Sequence, residues 1–195
     1  MATHATTATP TAGTATERGQ KTTWKIDPAH SHVGFAIKHL MIATVRGSFT
    51  QVQGTVTVDE SDPTTASIEV TIPTASVTTG DEKRDAHLRS ADFFDAERFP
   101  NMTFRSKRVD QVSGDSFRVI GDLTIRDVTK EVILDVELLG RAKDPWGQEK
   151  AGFEATTKFK RGEYGLTWNA ALETGGVLVG DDVKVSIEAE LTKQA

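Results

Sequence analysis

The sequence predicts an all-β protein whose strands close into a barrel or split into a two-sheet sandwich. Three observations predict it. From Trp24 onward apolar residues recur at every second position in run after run. The runs are separated by turn-forming stretches such as Ser61-Asp62-Pro63 and Asp144-Pro145-Trp146-Gly147. A single segment, opening at Thr79, breaks the pattern with helical spacing. The 195 residues suit one domain with a core of its own.

In chain order, Trp24–Asp27 opens the first strand. Val33, Phe35 and Ile37 then alternate with Gly34, Ala36 and Lys38. Parity breaks between Phe49 and Val52, which predicts a bulge where a strand bends. Gly54, Val56 and Val58 make the next inward set, and Ile68, Val70 and Ile72 the one after it. Beyond the helical segment come Met102–Val109, then Phe117, Val119, Gly121, Leu123 and Ile125, then Val132, Leu134, Val136 and Leu138. Ala151, Phe153, Ala155 and Phe159 follow, and Val183, Val185, Ile187, Ala189 and Leu191 close the series. Each run has one wet face, and together they make eight or nine antiparallel strands.

Thr79-Gly80-Asp81-Glu82 reads as a capping box, with Thr79 as the N-cap and Glu82 reaching back to its N–H. The helix is predicted over about residues 80–92. One face carries Arg84, His87, Leu88 and Ala91; the other carries Asp81, Asp85, Arg89 and Asp92, with Asp85 and Arg89 spaced to pair. Phe93, Phe94 and Phe99 follow, and Pro100 ends the connection.

Residues 1–23 contain no Val, Ile, Leu or Phe and read as a disordered Thr/Ala-rich tail, leaving 24–195 as the folded domain. The tail lacks the apolar run of an export signal, so the expected location is cytoplasmic. A formal charge of −5 removes the electrostatic term behind most nucleic-acid affinity, so no nucleic-acid partner is expected. With no cysteine, disulfides, thiolate metal sites and cysteine nucleophiles are excluded.

Function turns on what fills the space inside the strands. A sandwich core, a narrow barrel filled by its own side chains and a barrel with an apolar ligand cavity all satisfy the alternation. Small inward residues, Gly54, Gly121, Ala151, Ala155 and Ala189, favour the cavity by leaving volume unfilled. An interior with so few polar groups would take a long hydrocarbon, worth about 0.8 kcal/mol gross per buried methylene and about 4 kcal/mol per isoprene unit. The candidate lining is Phe35, Ile37, Val56, Val70, Phe104, Leu123, Leu134, Val136, Phe153 and Trp168. Arg84 and His87 are the candidates to meet a polar head at the mouth. An open end rimmed with aromatics would serve either for transient membrane contact or as a homodimer face.

Other chemistry is weaker. His30 and His32 lie two apart, as metal ligands on one strand face would, but ring-to-backbone bonds at the strand start explain them as well. No metal site and no catalytic residue is assigned. Ser48 lacks the second glycine of a nucleophile elbow, and Gly175-Gly176-Val177-Leu178-Val179-Gly180 lacks the lysine of a phosphate loop and reads as a mobile loop. Asp181-Asp182 reads as solvating that turn, and Trp146 as a surface residue in a tight turn. Two rival functions remain: a metal-assisted enzyme acting on a lipid through His30, His32 and His87, and a ligand-free stress-response module with a filled core.

Four blocks carry a family resemblance. Trp24-Lys25-Ile26-Asp27-Pro28-Ala29-His30-Ser31-His32-Val33-Gly34-Phe35, followed by Lys38-His39-Leu40 and Val45-Arg46-Gly47-Ser48-Phe49, resembles the opening of the YceI family of lipid-binding proteins. The segment from Glu82 to Phe94 with Phe99-Pro100 resembles the family's helix block, and Gly121–Lys130 its central hairpin. Phe159-Lys160-Arg161-Gly162-Glu163-Tyr164-Gly165-Leu166 resembles the segment before its final strands. The resemblance covers about residues 24–193. It implies an elongated, eight-stranded, lipocalin-like antiparallel β-barrel with one short helix. It also implies a non-enzymatic role: binding, transport or storage of a polyisoprenoid, such as an isoprenoid quinone or a polyprenyl diphosphate, or of another long-chain amphiphile. No cofactor is implied beyond that bound lipid.

Overall fold

The computed structural model describes residues 19–172 and 175–195. Residues 1–18, where the sequence reading puts most of the tail, lie outside the described residues, as do residues 173 and 174 of the glycine-rich loop. The described chain runs through β1 (Lys21–Ile26), β2 (His32–His39), β3 (Ala43–Phe49), β4 (Gln53–Asp59), β5 (Asp62–Pro73) and β6 (Val77–Thr78) to the helix α1 (Glu82–Arg89). After it come β7 (Asn101–Ser113), β8 (Ser116–Ile125), β9 (Val128–Lys143), β10 (Glu149–Lys160) and β11 (Val179–Lys193). No helix among the described residues is long and apolar enough to cross a membrane.

Eight wall strands are built from these eleven segments, because three of the strands bend. β1 pairs with β4 while its continuation β2 pairs with β3, and β5 pairs with β4 while β6 pairs with β3. From β5 the wall continues through β7, β8, β9, β10 and β11, all antiparallel neighbours. β11 then pairs with both β1 (Ile26 opposite Leu191) and β2 (Val33 opposite Ile187), which closes the barrel and removes its edges.

The bends between β1 and β2 and between β5 and β6 have local causes. Pro28 has no N–H to give the ladder. Between β1 and β2, Glu190 of β11 is therefore bonded by the Asp27 N–H, at 2.8 Å, and by the Ser31 hydroxyl, which accepts from the Glu190 N–H at 3.0 Å. Between β5 and β6 a 3-10 turn over Thr74–Ser76 buries Thr74 completely. Its hydroxyl donates to the Phe99 carbonyl at 2.7 Å and its N–H to Pro100 O at 2.9 Å, so no buried polar group is orphaned there. In β7 the register slips between Ser106 and Arg108, which lets Met102 and Val109, seven positions apart, both turn inward and both be buried.

Several sequence expectations need correction. The strand opens at Lys21, so Lys21–Thr23 belong to the barrel and not to the tail. Asp81, not Thr79, caps α1, accepting from the Arg84 N–H at 3.0 Å. The residue that reaches back is Asp85: it accepts from the Thr79 N–H at 2.8 Å and from the Thr78 hydroxyl at 3.0 Å. Burial pushes the Asp85 carboxyl up, but the Thr79 and Thr78 hydrogen bonds outweigh it and hold the group below its ordinary range. The helix ends at Arg89 and not near Asp92, because Ser90 leaves helical conformation and caps the end. Arg89 does not pair with Asp85; it donates to the carbonyls of Ala75 and Val77, tying α1 to the 3-10 turn. Asp181 and Asp182 stand on β11, where Asp181 accepts from the Gly162 N–H and Asp182 pairs with Lys158 at 2.7 Å. Trp146 is 86% exposed in its turn, in keeping with a surface role.

The topology gives the barrel two unlike ends. The β2–β3 tip, α1 and the segment between β10 and β11 gather at one, where the Leu40 N–H donates to the Leu178 carbonyl and His87 packs on Trp168. At the other, Glu60 ties together Arg141 at 3.2 Å and Lys193 at 2.9 Å, and both cations lie over the ring of the buried Trp24.

Candidate functional site

Alternation along eight wall strands turns one continuous apolar face inward, and that face encloses a cavity of about 770 Å³. The volume lies within the range of small-molecule sites. It is incompatible with a barrel filled by its own side chains. All ten side chains expected as lining are on its wall: Phe35, Ile37, Val56, Val70, Phe104, Leu123, Leu134, Val136, Phe153 and Trp168. Its charged or ionisable lining groups are few: Glu60 and Arg141 at one end, Lys38, His39, Asp81, Lys83, Arg84 and His87 near α1, and Arg161 and Glu188 in the wall.

The source of the free volume differs from expectation at the glycines. A Cβ on Gly54 would stand 2.6 Å from Ile26 Cδ1, and one on Gly121 would stand 2.5 Å from Phe104 Cζ. These glycines admit a neighbour's side chain into the wall; they do not leave space open to the cavity. Ala155 and Ala189 do line the cavity.

The helix end is built from aromatic rings around His87. Its ring meets Trp168 at 4.7 Å and Phe93 at 5.0 Å, both nearly edge-on, and its Nε2 lies 2.8 Å from Asp92 Oδ2. Arg84, one turn earlier, donates through Nε to the Thr79 hydroxyl at 2.7 Å and through Nη2 to the Thr79 carbonyl at 3.1 Å. Both residues therefore stand at the cavity's mouth with their orientation fixed.

Arg161 is the site residue that the sequence reading missed. It is buried among backbone carbonyls and donates to Gly180 O at 2.8 Å, Leu166 O at 2.6 Å and Trp168 O at 2.9 Å. One guanidinium thus fastens the segment that carries Trp168 to the start of β11. Its only signal was a place in the Phe159–Leu166 block, since parity says nothing about a residue in a 3-10 turn. Tyr164, in the same turn, is 1% exposed, stacks edge-on against Phe159 at 5.2 Å and has no hydrogen-bond partner for its hydroxyl among the described residues. Burial pushes its pKa up to about 12.

The histidines of the rival metal-assisted reading are not brought together. His30 Nδ1 lies 3.1 Å from Asp27 Oδ2 and 3.7 Å from Glu190 Oε1, so its ring bonds a carboxylate and not the backbone. Among the described residues, Asp27, His30 and Glu190 make the one cluster whose ligand atoms fall within 4.8 Å of one another. The Lys150 ammonium stands 3.1 Å from each of the two carboxylates and supplies their counter-charge. His87 belongs to the aromatic group at the mouth, and His32 is exposed on the outer face beside Gly34.

Residues 24–191 match the YceI-like domain. The chain belongs to the YceI family. A UPF0312 protein of Staphylococcus aureus strain USA300 is 42% identical over 172 residues, which span 88% of this chain and 98% of that protein. Among solved structures, a YceI protein of Campylobacter jejuni is 34% identical with a TM-score of 0.70, covering 82% of this chain and 91% of that one. BcnA of Burkholderia cenocepacia shares the fold at a TM-score of 0.74 and 24% identity, over 85% of this chain and 98% of its own. So does a domain of Saccharophagus degradans described as polyisoprenoid binding, at a TM-score of 0.63 and 15% identity, over 88% of this chain and 98% of its own. The YceI barrel expected from the four motif blocks is the fold observed.

Proposed function

We propose that this YceI barrel binds a long-chain isoprenoid-type lipid and carries or stores it without chemical change. The observation that carries the reading is the cavity of about 770 Å³ along the barrel interior, whose wall is overwhelmingly apolar. At the about 15–30 Å³ that one water-sized group requires, it takes about 25–50 heavy atoms, or about five to ten isoprene units. Hydrocarbon is the chemistry such a wall selects, because any buried polar atom of a ligand would lose its hydrogen bonds to water and gain none.

In this reading the ten apolar side chains from Phe35 to Trp168 contact the tail, and Arg84 and His87 meet the head group. The Saccharophagus degradans domain, described as binding polyisoprenoid, supports the ligand class. A binding role rather than a catalytic one is supported by how the polar groups nearest the cavity are used: His87 holds Asp92, and Arg84 holds Thr79.

The test is organic extraction of protein purified without detergent, followed by mass spectrometry, together with titration of prenyl alcohols of increasing length. We expect one defined lipid near one per chain, and affinity that rises with length and then levels within the five-to-ten-unit range. Failure to recover any lipid, combined with no saturable uptake of prenyl alcohols, would overturn the proposal.

A further inference from the structure

The β2–β3 hairpin tip is built against its own backbone preferences. Its turn is closed by the Ile42 N–H donating to the His39 carbonyl at 3.2 Å, and its two central residues, Leu40 and Met41, have φ of 52° and 61°. A tight hairpin turn with two positive φ angles favours Asn and Gly, because a bulky side chain there crowds its own backbone. Here the turn holds Leu and Met: Leu40 is 36% exposed, Met41 63%, and the next residue, Ile42, 83%. The strained backbone of Leu40 and Met41 and the apolar surface that Met41 and Ile42 hold out in water each cost stability.

The tip also stands at the cavity mouth. His39 and Lys38, which lead into it, line the cavity, and the Leu40 N–H donates at 2.9 Å to the carbonyl of Leu178, another lining residue. Exposed Val177 extends the apolar ridge. Lys38, Lys83 and Arg84 touch the mouth, and none of them is in an ion pair among the described residues. Of the carboxylates near them, Asp81 is engaged in capping α1 and Asp85 in holding Thr78 and Thr79.

We infer that the Leu40–Ile42 tip is a membrane-docking element: its apolar side chains enter the interface of a bilayer while the Lys38, Lys83 and Arg84 rim meets anionic lipid head groups. Docking there would set the cavity mouth against the lipid from which a tail is taken. The net charge of −5 opposes long-range attraction to such a surface, so the apolar tip must supply the anchor and the local rim the orientation. The function of the docked state rests on the lipid-binding reading above, but docking itself does not.

The experiment is flotation of the full chain with phosphatidylcholine vesicles containing about 30% phosphatidylglycerol. Its companion readouts are thermal unfolding, prenyl-alcohol titration in solution and sedimentation velocity. The double variant Leu40→Asn/Met41→Gly supplies the residues that the turn prefers. We expect it to unfold at the same or a higher temperature, to bind the prenyl alcohol within about twofold of the parent, and to lose vesicle binding about tenfold or more. Met41→Asp/Ile42→Asp should lose vesicle binding likewise. Lys38→Glu/Lys83→Glu should weaken binding to the anionic vesicles and not to pure phosphatidylcholine. Absence of vesicle binding by the parent chain, or unchanged binding by Leu40→Asn/Met41→Gly, overturns the proposal. A dimer that depends on the tip, seen without vesicle binding, overturns it in favour of self-association. A chain that docks yet takes up no prenyl alcohol refutes the lipid-carrier reading and leaves docking standing.

Discussion

The ring of Phe104 in β7 lies over Gly121 in β8, so close that a Cβ on the glycine would stand 2.5 Å from Phe104 Cζ and 2.5 Å from the Arg105 carbonyl. Phe35 covers Gly47 in the same way across β2 and β3. In both places a large inward ring lies flat along the wall instead of reaching across the barrel, which keeps the interior open.

Gly121→Ala should therefore be costly although alanine is small. The Arg105 backbone cannot yield without moving the wall, and the Phe104 ring can yield only by leaving the wall for the cavity. A loss of about 1–3 kcal/mol is expected, read from the denaturant midpoint. A stability within error of the parent would show that the ring swings inward freely, in which case prenyl binding should weaken instead.

Leu134 and Val136 line the cavity, whereas Asp135 between them is exposed and pairs with Arg118 at 3.5 Å. Leu134→Asp places an uncompensated carboxylate against hydrocarbon and should abolish prenyl-alcohol binding. Asp135→Asn removes an exposed pair worth about 0–1 kcal/mol and should leave binding unchanged. Equal effects of the two substitutions would refute the face assignment.

The buried Tyr164 hydroxyl makes no hydrogen bond to any of the described residues, so it carries a desolvation cost with no return. Tyr164→Phe keeps the edge-on contact with Phe159 and should be neutral or stabilising by up to about 1 kcal/mol, measured by thermal or urea unfolding. A clear destabilisation would mean that the hydroxyl has a bonded partner in solution.

At acid pH the Asp27 cluster should weaken the fold. The bond from His30, the Ala29 N–H and the Lys150 ammonium hold the Asp27 carboxyl at about 2, below its ordinary 3.8. A depressed acid contributes stability that is complete above its unfolded value and lost as protons bind. The loss should run from about pH 4 down to about pH 2 and amount to about 1 kcal/mol. Asp27→Asn should lower stability at neutral pH and flatten the profile over that window. An acid limb identical to the parent's would count against the linkage.

Much of the barrel was legible in residue order, because alternation is a property of a few consecutive positions. Val132, Leu134, Val136 and Leu138 announce an inward face whatever their partners are, and all four reach the cavity. The segment Ala43–Phe49 has too few large apolar residues to mark a face, and Val77–Thr78 is two residues long, so both strands emerge only from pairing. The helix cap was misplaced because Thr79 and Asp81 are both competent caps by type. The choice went to Asp81 once Asp85 had taken both the N–H and the hydroxyl of Thr79. Arg161 was illegible as an anchor, since its acceptors lie at Leu166, Trp168 and Gly180 and exist as a group only after the chain has turned back on itself.

By itself the sequence determined an all-β chain with a greasy inner face, no cysteine chemistry and the motif blocks of the YceI family, because composition, parity and short motifs are local. Tertiary structure decided between a filled core and a cavity of about 770 Å³. Free volume depends on how eight bent strands close and on which rings lie along the wall, as Phe104 does over Gly121. It also decided that Arg84, His87 and the strained Leu40-Met41 turn share one end of the barrel. They are far apart along the chain, and only closure of β11 onto β1 and β2 gives that end a single rim.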